Sequence, residues 1–232
     1  DFVDYAGGDY RIDDTSVLYN AGADLSGTFT DDLRGTATRY AASFDIGAYK
    51  FDVITKTLKA SAGDYSSISV WESSEQANLV ALGERHVLEC YAFQDTTTLN
   101  INGWGTSALN TLTIKAADGE EHGGDPTAGY RMRYTGTTYA ATLGVPYVLI
   151  QGIVIRHDGT NGNVFYASGP AINSTVNRCI IRAANYVTHC AWLRSSGGNG
   201  TTLRNSLVIN EAGCDKSIEC ASFYTGYVEN CT

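Results

Sequence analysis

Proline is nearly absent from this chain, with three in 232 residues, and methionine occurs once. Turns must therefore come from Gly, Asn, Ser and Thr, each of which offers the backbone a local alternative to a regular ladder. No apolar run reaches the ~18–20 residues that span a bilayer as a helix, so membrane insertion by a helix is not expected. Basic residues are also scarce: 16 Lys and Arg stand against 25 Asp and Glu, a formal net charge of −9. A nucleic-acid binder needs a basic face for phosphates, so nucleic acid is not an expected partner. Several motifs are missing as well. There is no H-E-x-x-H, no G-x-S-x-G, no phosphate-binding glycine loop and no C-x-x-C, so the zinc-protease, serine-hydrolase, nucleotide-binding and zinc-ribbon classes lose their usual signatures.

What is present is repetition. Twenty-five glycines accompany many Thr, Ser, Tyr and Val, a composition that suits short strands joined by many turns. Four segments share one pattern: Val148 to Arg156, Ser174 to Arg182, Thr201 to Ile209, and Tyr227 to Thr232. Aligning Ile150, Val176, Leu203 and Val228 gives steps of 26, 27 and 25 residues. A period of that size means one structural unit stacked on the next. Each segment suits a short strand with one buried face, which a stack can bury and a lone strand cannot.

In this spacing the chain resembles the right-handed parallel β-helices, the pectate-lyase-like and phage tail-spike-like solenoids. The resemblance implies an all-β, single-stranded solenoid with a short capping helix. It extends to motifs. Gly8 to Ile12, Ser16 to Gly22, Asp31 to Gly35 and Phe44 to Phe51 resemble, in order, the family's closing motifs "DYRL", "SPAIDAG", "D-x-DG" and "DIGAYE"; Val17, Asn20 and Lys50 depart from them. Asp45, Gly47 and Tyr49 would then shape a terminal cap. Asp64 to Glu72 resembles the opening "DYSSLSAWE", and Gly119 to Pro126 resembles a glycine-rich "APGxxHNG" loop. Residues 1–51 thus read as the cap and last coil of a β-helix, and residues 52–232 as its opening cap and coils. Because the closing half precedes the opening half, the chain reads as one period of a tandem array, with a circular permutant or a fragment as the alternatives.

Within 52–232, a capping helix is expected from Ser69 or Val70, with Ser69 as N-cap and Trp71, Ala77, Leu79, Val80 and Leu82 plugging the coil beneath. Strands are expected at Arg85 to Phe93, Thr97 to Asn102 and Thr111 to Ala116, followed by an insertion from Ala117 to Gly144. Cys179 and Cys231 share a column two coils apart with Ser206 between them, as small buried residues. Cys190 and Cys220 sit in similar settings, and the alternative reading is a disulfide between them or between Cys190 and Cys214. Asn205 and Asn230 share a column, which predicts an internal Asn ladder.

Candidate chemistry is sparse, and no catalytic residue or cofactor is assigned. His122, Glu121 and Asp125 form the one tight His/acidic cluster, a weak cation site (Ca²⁺ if any) or a solvated loop. His157 and Asp158 read as an acid/base pair or as a strand-to-turn junction, with Arg156 and Arg182 in a column beside them. Fifteen Tyr and three Trp serve a sugar-stacking face or a solenoid core. The expected function is a structural, non-catalytic module of a fibre, filament or surface adhesin outside the cell or on a virion, partnered head to tail by copies of itself. The alternatives are a polysaccharide lyase or glycoside hydrolase, or a glycan-binding module.

Overall fold

The computed structural model describes residues 2–4, 9–12, 16–18, 21–22, 52–194, 200–211, 214–220 and 226–232. Asp45, Gly47 and Tyr49 lie outside these residues. Near the start, β1 (Phe2–Asp4) pairs antiparallel with β2 (Asp9–Ile12). Then come β3 (Asp52–Leu58), α1 (Ile68–Glu75) and α2 (Leu79–Leu82).

From there the chain winds as a parallel β-helix of about five turns. The first coil holds β4 (Glu84–Cys90), β5 (Gln94–Asp95) and β6 (Leu99–Ile101). The second holds β7 (Leu112–Ala116), β8 (Arg131–Tyr134) and β9 (Ala141–Leu143). The third holds β10 (Val148–Gln151), β11 (Val154–His157) and β12 (Asn163–Ala167). The fourth holds β13 (Thr175–Asn177), β14 (Ile180–Ala183) and β15 (Val187–Leu193). The fifth holds β16 (Thr201–Arg204), β17 (Leu207–Asn210) and β18 (Cys214–Cys220), and β19 (Gly226–Glu229) begins another. Three parallel sheets result. The first runs β3-β4-β7-β10-β13-β16-β19, the second β5-β8-β11-β14-β17, and the third β6-β9-β12-β15-β18.

The register matches the sequence alignment residue for residue. Ile150, Val176, Leu203 and Val228 are successive partners in the first sheet, and Leu88 and Ile114 extend the same column. All but Val228 are fully buried, and Val228 lies on the last described strand. The third sheet alternates large and small in its inward column: Leu99, Ala141, Phe165, Ala191, Ile218. Coils sit ~4.8 Å apart, too close for a large ring beside another large ring, so alternation lets them interdigitate at interior density.

Each of the first three repeated segments holds two strands rather than one, and the fourth holds β19. A corner follows the first strand of each, and one residue there takes a left-handed conformation: Gly152 (φ 72°), Arg178 (φ 51°), Asn205 (φ 50°) and Asn230 (φ 50°). Gly and Asn tolerate this region, whereas other L-residues pay ~1–2 kcal/mol. The stretch from Ala117 to Gly144 is also not a pure insertion. It contains β8 and β9, so only the loop before Arg131 exceeds a standard turn.

The cap forms where expected, with a shifted start. Ser67, not Ser69, is the N-cap of α1 and accepts from the Val70 N–H. Trp71 and Leu79 are fully buried, but Val80 (42 % exposed) and Leu82 (37 %) face outward rather than plugging the coil. Trp71 stacks on Trp104 with centroids 5.7 Å apart, and the Trp104 indole N–H donates to Glu72 at 3.3 Å.

Asp95 joins the cap to the coils. It occupies the inward column that continues as Met132, Ile155, Ile181 and Val208. Its Oδ2 accepts from the Ile68 N–H (2.7 Å) and the Tyr130 hydroxyl (2.9 Å), and its Oδ1 from the N–H (2.9 Å) and hydroxyl (2.8 Å) of Thr97. Replacing Asp95 with Ala strands buried donors at ~1–3 kcal/mol each. The expected loss is about 2–5 kcal/mol in chemical denaturation, and a loss below about 1 kcal/mol would show that the cap is not held this way. Arg178→Asn relieves the left-handed strain and is expected to raise stability by about 0.5–1 kcal/mol in the same assay.

Candidate functional site

Three outward-facing columns and one loop carry the polar chemistry of the solenoid. The first column lies on the second sheet. Arg133, Arg156 and Arg182 are register partners on adjacent strands. Stacked like charges repel, and carboxylates offset them. Asp158 Oδ2 accepts from Arg133 Nε at 2.5 Å, and its Oδ1 accepts from Arg156 Nε. Arg182 turns instead to Glu211, giving Nε (3.1 Å) and Nη2 (2.6 Å) to one oxygen. Burial alone would raise the Asp158 pKa; the bonds from Arg156 and Arg133 outweigh it and hold the carboxyl below its usual 3.8.

His157 takes no part in this cluster. It is fully buried, its Nε2 lies 2.9 Å from the Thr138 carbonyl, and its ring meets Tyr134 edge-on. Strand alternation sends adjacent side chains to opposite faces. The acid/base pairing of His157 with Asp158 is therefore corrected: one points into the core and the other to the arginines.

The second column is aromatic and lies on the third sheet. Tyr139, Tyr166 and Trp192 stack with successive centroid separations of 5.1 and 5.0 Å. His189 lies parallel to Trp192 at 4.8 Å, and the Arg194 guanidinium sits over the same indole. Rings stacked on one another spend their faces on each other. A sugar-binding platform needs free faces, so the inner members of this column serve the solenoid. Tyr139 ends the stack and is 37 % exposed, beside a cleft of about 210 Å³ that Thr98, Asn100 and Thr142 also line.

His189 is anchored on both sides. Asn163 Oδ1 accepts from its N–H (3.0 Å) and lies 3.1 Å from its Nδ1, while its Nε2 is 2.5 Å from Glu219. The Lys216 ammonium, 2.7 Å away, and His189 hold the Glu219 pKa below its usual value against a smaller effect of burial. This tie between coils was not among the sequence expectations, because its members are far apart in the chain.

The third column follows the corners. Asn230 donates to Asn205 (3.4 Å), Asn205 to Asn177 (3.0 Å), and Asn177 to Gln151 (3.4 Å). The ladder thus exists and runs from the surface inward: Asn205 and Asn230 are exposed, and Asn177 is buried. It also crosses columns, because Asn177 pairs in register with Arg204 rather than Asn205. Next to it Cys179, Ser206 and Cys231 play one role. Each directs its Sγ or Oγ to the carbonyl two residues back, at 3.3, 2.8 and 3.3 Å.

The alternative reading, a Cys190–Cys220 bridge, does not form. Cys220 pairs in register with Leu193, three residues along from Cys190. At ~3.3 Å per residue that offset exceeds the reach of a disulfide.

The loop residues His122, Glu121 and Asp125 do not converge either, and no group of three metal-ligating side chains gathers among the described residues. Both ring nitrogens of His122 are engaged. Nδ1 accepts from the Gly124 N–H at 2.9 Å, which leaves Nε2–H to donate to the Arg178 carbonyl at 2.7 Å. His122 thus latches the loop to the fourth coil. Asp125 caps its own turn through the Thr127 N–H and hydroxyl, both at 2.7 Å, and those bonds lower its pKa.

Comparison with protein-family models, with curated proteins and with solved structures found no match to this chain.

Asp158 is the pH-sensitive member of the arginine column. Its folded pKa is depressed, so its stabilising contribution is complete above its ordinary pKa and is lost as pH falls through the lower folded value. Asp158→Asn is expected to destabilise the fold by about 1–3 kcal/mol at pH 7, with the deficit shrinking below about pH 4. A deficit constant from pH 7 to pH 2 in urea titrations would contradict this assignment.

Proposed function

We propose that the chain is a structural module: a stiff, non-catalytic segment of a fibre, filament or adhesin outside the cell or on a virion, stacking head to tail on copies of itself. On this reading it is a member of the pectate-lyase-like and tail-spike-like solenoids. The supporting observation is the seven-stranded first sheet, paired in register from β3 to β19. Continuous parallel pairing with stacked columns resists bending, because a bend must open the hydrogen-bond ladder and the packing between each coil and its neighbours. β19 is the last described strand of that sheet, and it keeps the register of the coils before it. The net charge of −9 disfavours lateral clumping.

Tandem-linked copies test this. Five coils at ~4.8 Å each add about 24 Å per copy. Small-angle scattering and electron microscopy are expected to show rods that lengthen by at least that amount per copy at constant cross-section. Beads hinged at variable angles would sink the stacking model.

Polysaccharide is the second reading for a surface partner, and the exposed face of Tyr139 beside Asn100 and Thr142 favours it. A glycan-array signal that Tyr139→Ala reduces about 10-fold, with no product released, is the expected outcome. A signal indifferent to that substitution removes this reading.

A further inference from the structure

A second cleft, of about 210 Å³, opens between the second sheet and the loop before β8. Val154 forms its floor, Pro126 and Thr127 form a wall, and Arg131, Arg133 and Arg156 enter it. Three arginines converging in a protein of net charge −9 are placed against the overall trend. Their neutralisation is also incomplete. Arg133 and Arg156 share a single carboxylate, and both contact Asp158 through Nε alone. No Nη group of either arginine has a partner among the described residues. Arg182 shows the contrasting case, with Glu211 to itself.

Arg131 is held differently. Its Nη1 donates to the Thr127 (2.6 Å) and Gly129 (3.1 Å) carbonyls, which fastens the loop wall to the sheet. Asp125 is close enough for Arg131 to act on its carboxyl, but its Oδ1 is occupied by Thr127. The cleft is therefore lined by three guanidinium groups and no carboxylate, while Asp158 holds Arg133 and Arg156 from beside it and Asp125 neighbours Arg131.

Adjacent strands place Arg133 and Arg156 ~4.8 Å apart at the backbone. Two guanidinium forks at that spacing can each give an N–H to a different oxygen of one tetrahedral or planar oxyanion, the geometry guanidinium groups favour. We propose that this cleft binds an oxyanion, a sulfate, phosphate or carboxylate group, clasped between Arg133 and Arg156 with Arg131 closing the loop side. The site does not depend on the structural role above.

Inorganic sulfate is the probe, titrated calorimetrically against chloride at matched, low ionic strength, where surface charge is least screened. Saturable binding at one site is expected. Arg133→Gln with Arg156→Gln is expected to weaken it at least about 10-fold, the loss of charge-assisted hydrogen bonds. Asp158→Asn removes the competing carboxylate and is expected to tighten binding several-fold. That gain cannot come from misfolding, so it guards the test if the double variant is unstable. Arg204→Gln, an exposed arginine on the first sheet, is expected to leave affinity unchanged.

Dextran sulfate and unsulfated dextran identify the source. Tighter binding per sulfate on the polymer assigns the cleft to a polymer-borne group, and equal affinity assigns it to the free ion. Absence of saturable binding overturns the proposal. So does binding untouched by the double variant, weakened by Asp158→Asn, or weakened as much by Arg204→Gln.

Discussion

Parallel backbone pairing between successive coils is the constraint on which the rest of this structure depends. Side chains alternate between faces with a period of two, so a slip of one residue would send a whole strand's core residues to solvent. The register here keeps Leu88, Ile114, Ile150, Val176 and Leu203 in one buried line. The same register that buries the apolar column also stacks whatever lies outside it. Arg133, Arg156 and Arg182 fall on one another and Tyr166 on Trp192, while Tyr139 and Asn177 join their columns from neighbouring positions. The outer columns are thus consequences of the core alignment, and each solves the problem of like standing on like in its own way. Rings gain from stacking, amides satisfy one another, and arginines need carboxylates placed beside them.

A stack of coils needs a closed end, and the cap supplies one through a polar anchor. Asp95 occupies a position that every later coil fills with an apolar side chain. Its four hydrogen bonds convert that inward position into an anchor for α1 and for Tyr130. A buried carboxylate is costly unless fully bonded, and here its oxygens meet the first N–H of a helix, where negative charge is also favoured by the helix dipole.

The loop before β8 links the two polar regions of the surface. His122 fastens it to the corner of the fourth coil and Arg131 fastens it to the second sheet. A segment that departs from the 26-residue period is thereby held against the repeating body, and the arginine cleft forms in the angle between them. Irregular segments on a regular scaffold are common places for recognition, because the scaffold fixes what the loop only has to cover.

Much of the fold was legible in the chain itself. The spacing of Ile150, Val176, Leu203 and Val228 encoded the first sheet's register, because a period set by coil length survives in the linear order of residues. The cap was visible in Trp71 and Leu79, and the shared role of Cys179 and Cys231 in their common column. Other features were decided only by the tertiary structure. The N-cap moved from Ser69 to Ser67, since the start of α1 depends on the contacts Asp95 and Thr97 make from the next coil, and Val80 turned outward on the separate short helix α2. Asp95 itself carried only the local Asp-x-Thr signal of a turn. The Cys190–Cys220 pairing failed because similar flanking residues do not guarantee equal register, and a three-residue offset is invisible without the ladder. The arginine cleft, the His189–Glu219 tie and the Asn ladder join residues about a coil or more apart. The sequence determined which residues repeat; which of them meet, and on which face, depended on where each corner bends the chain.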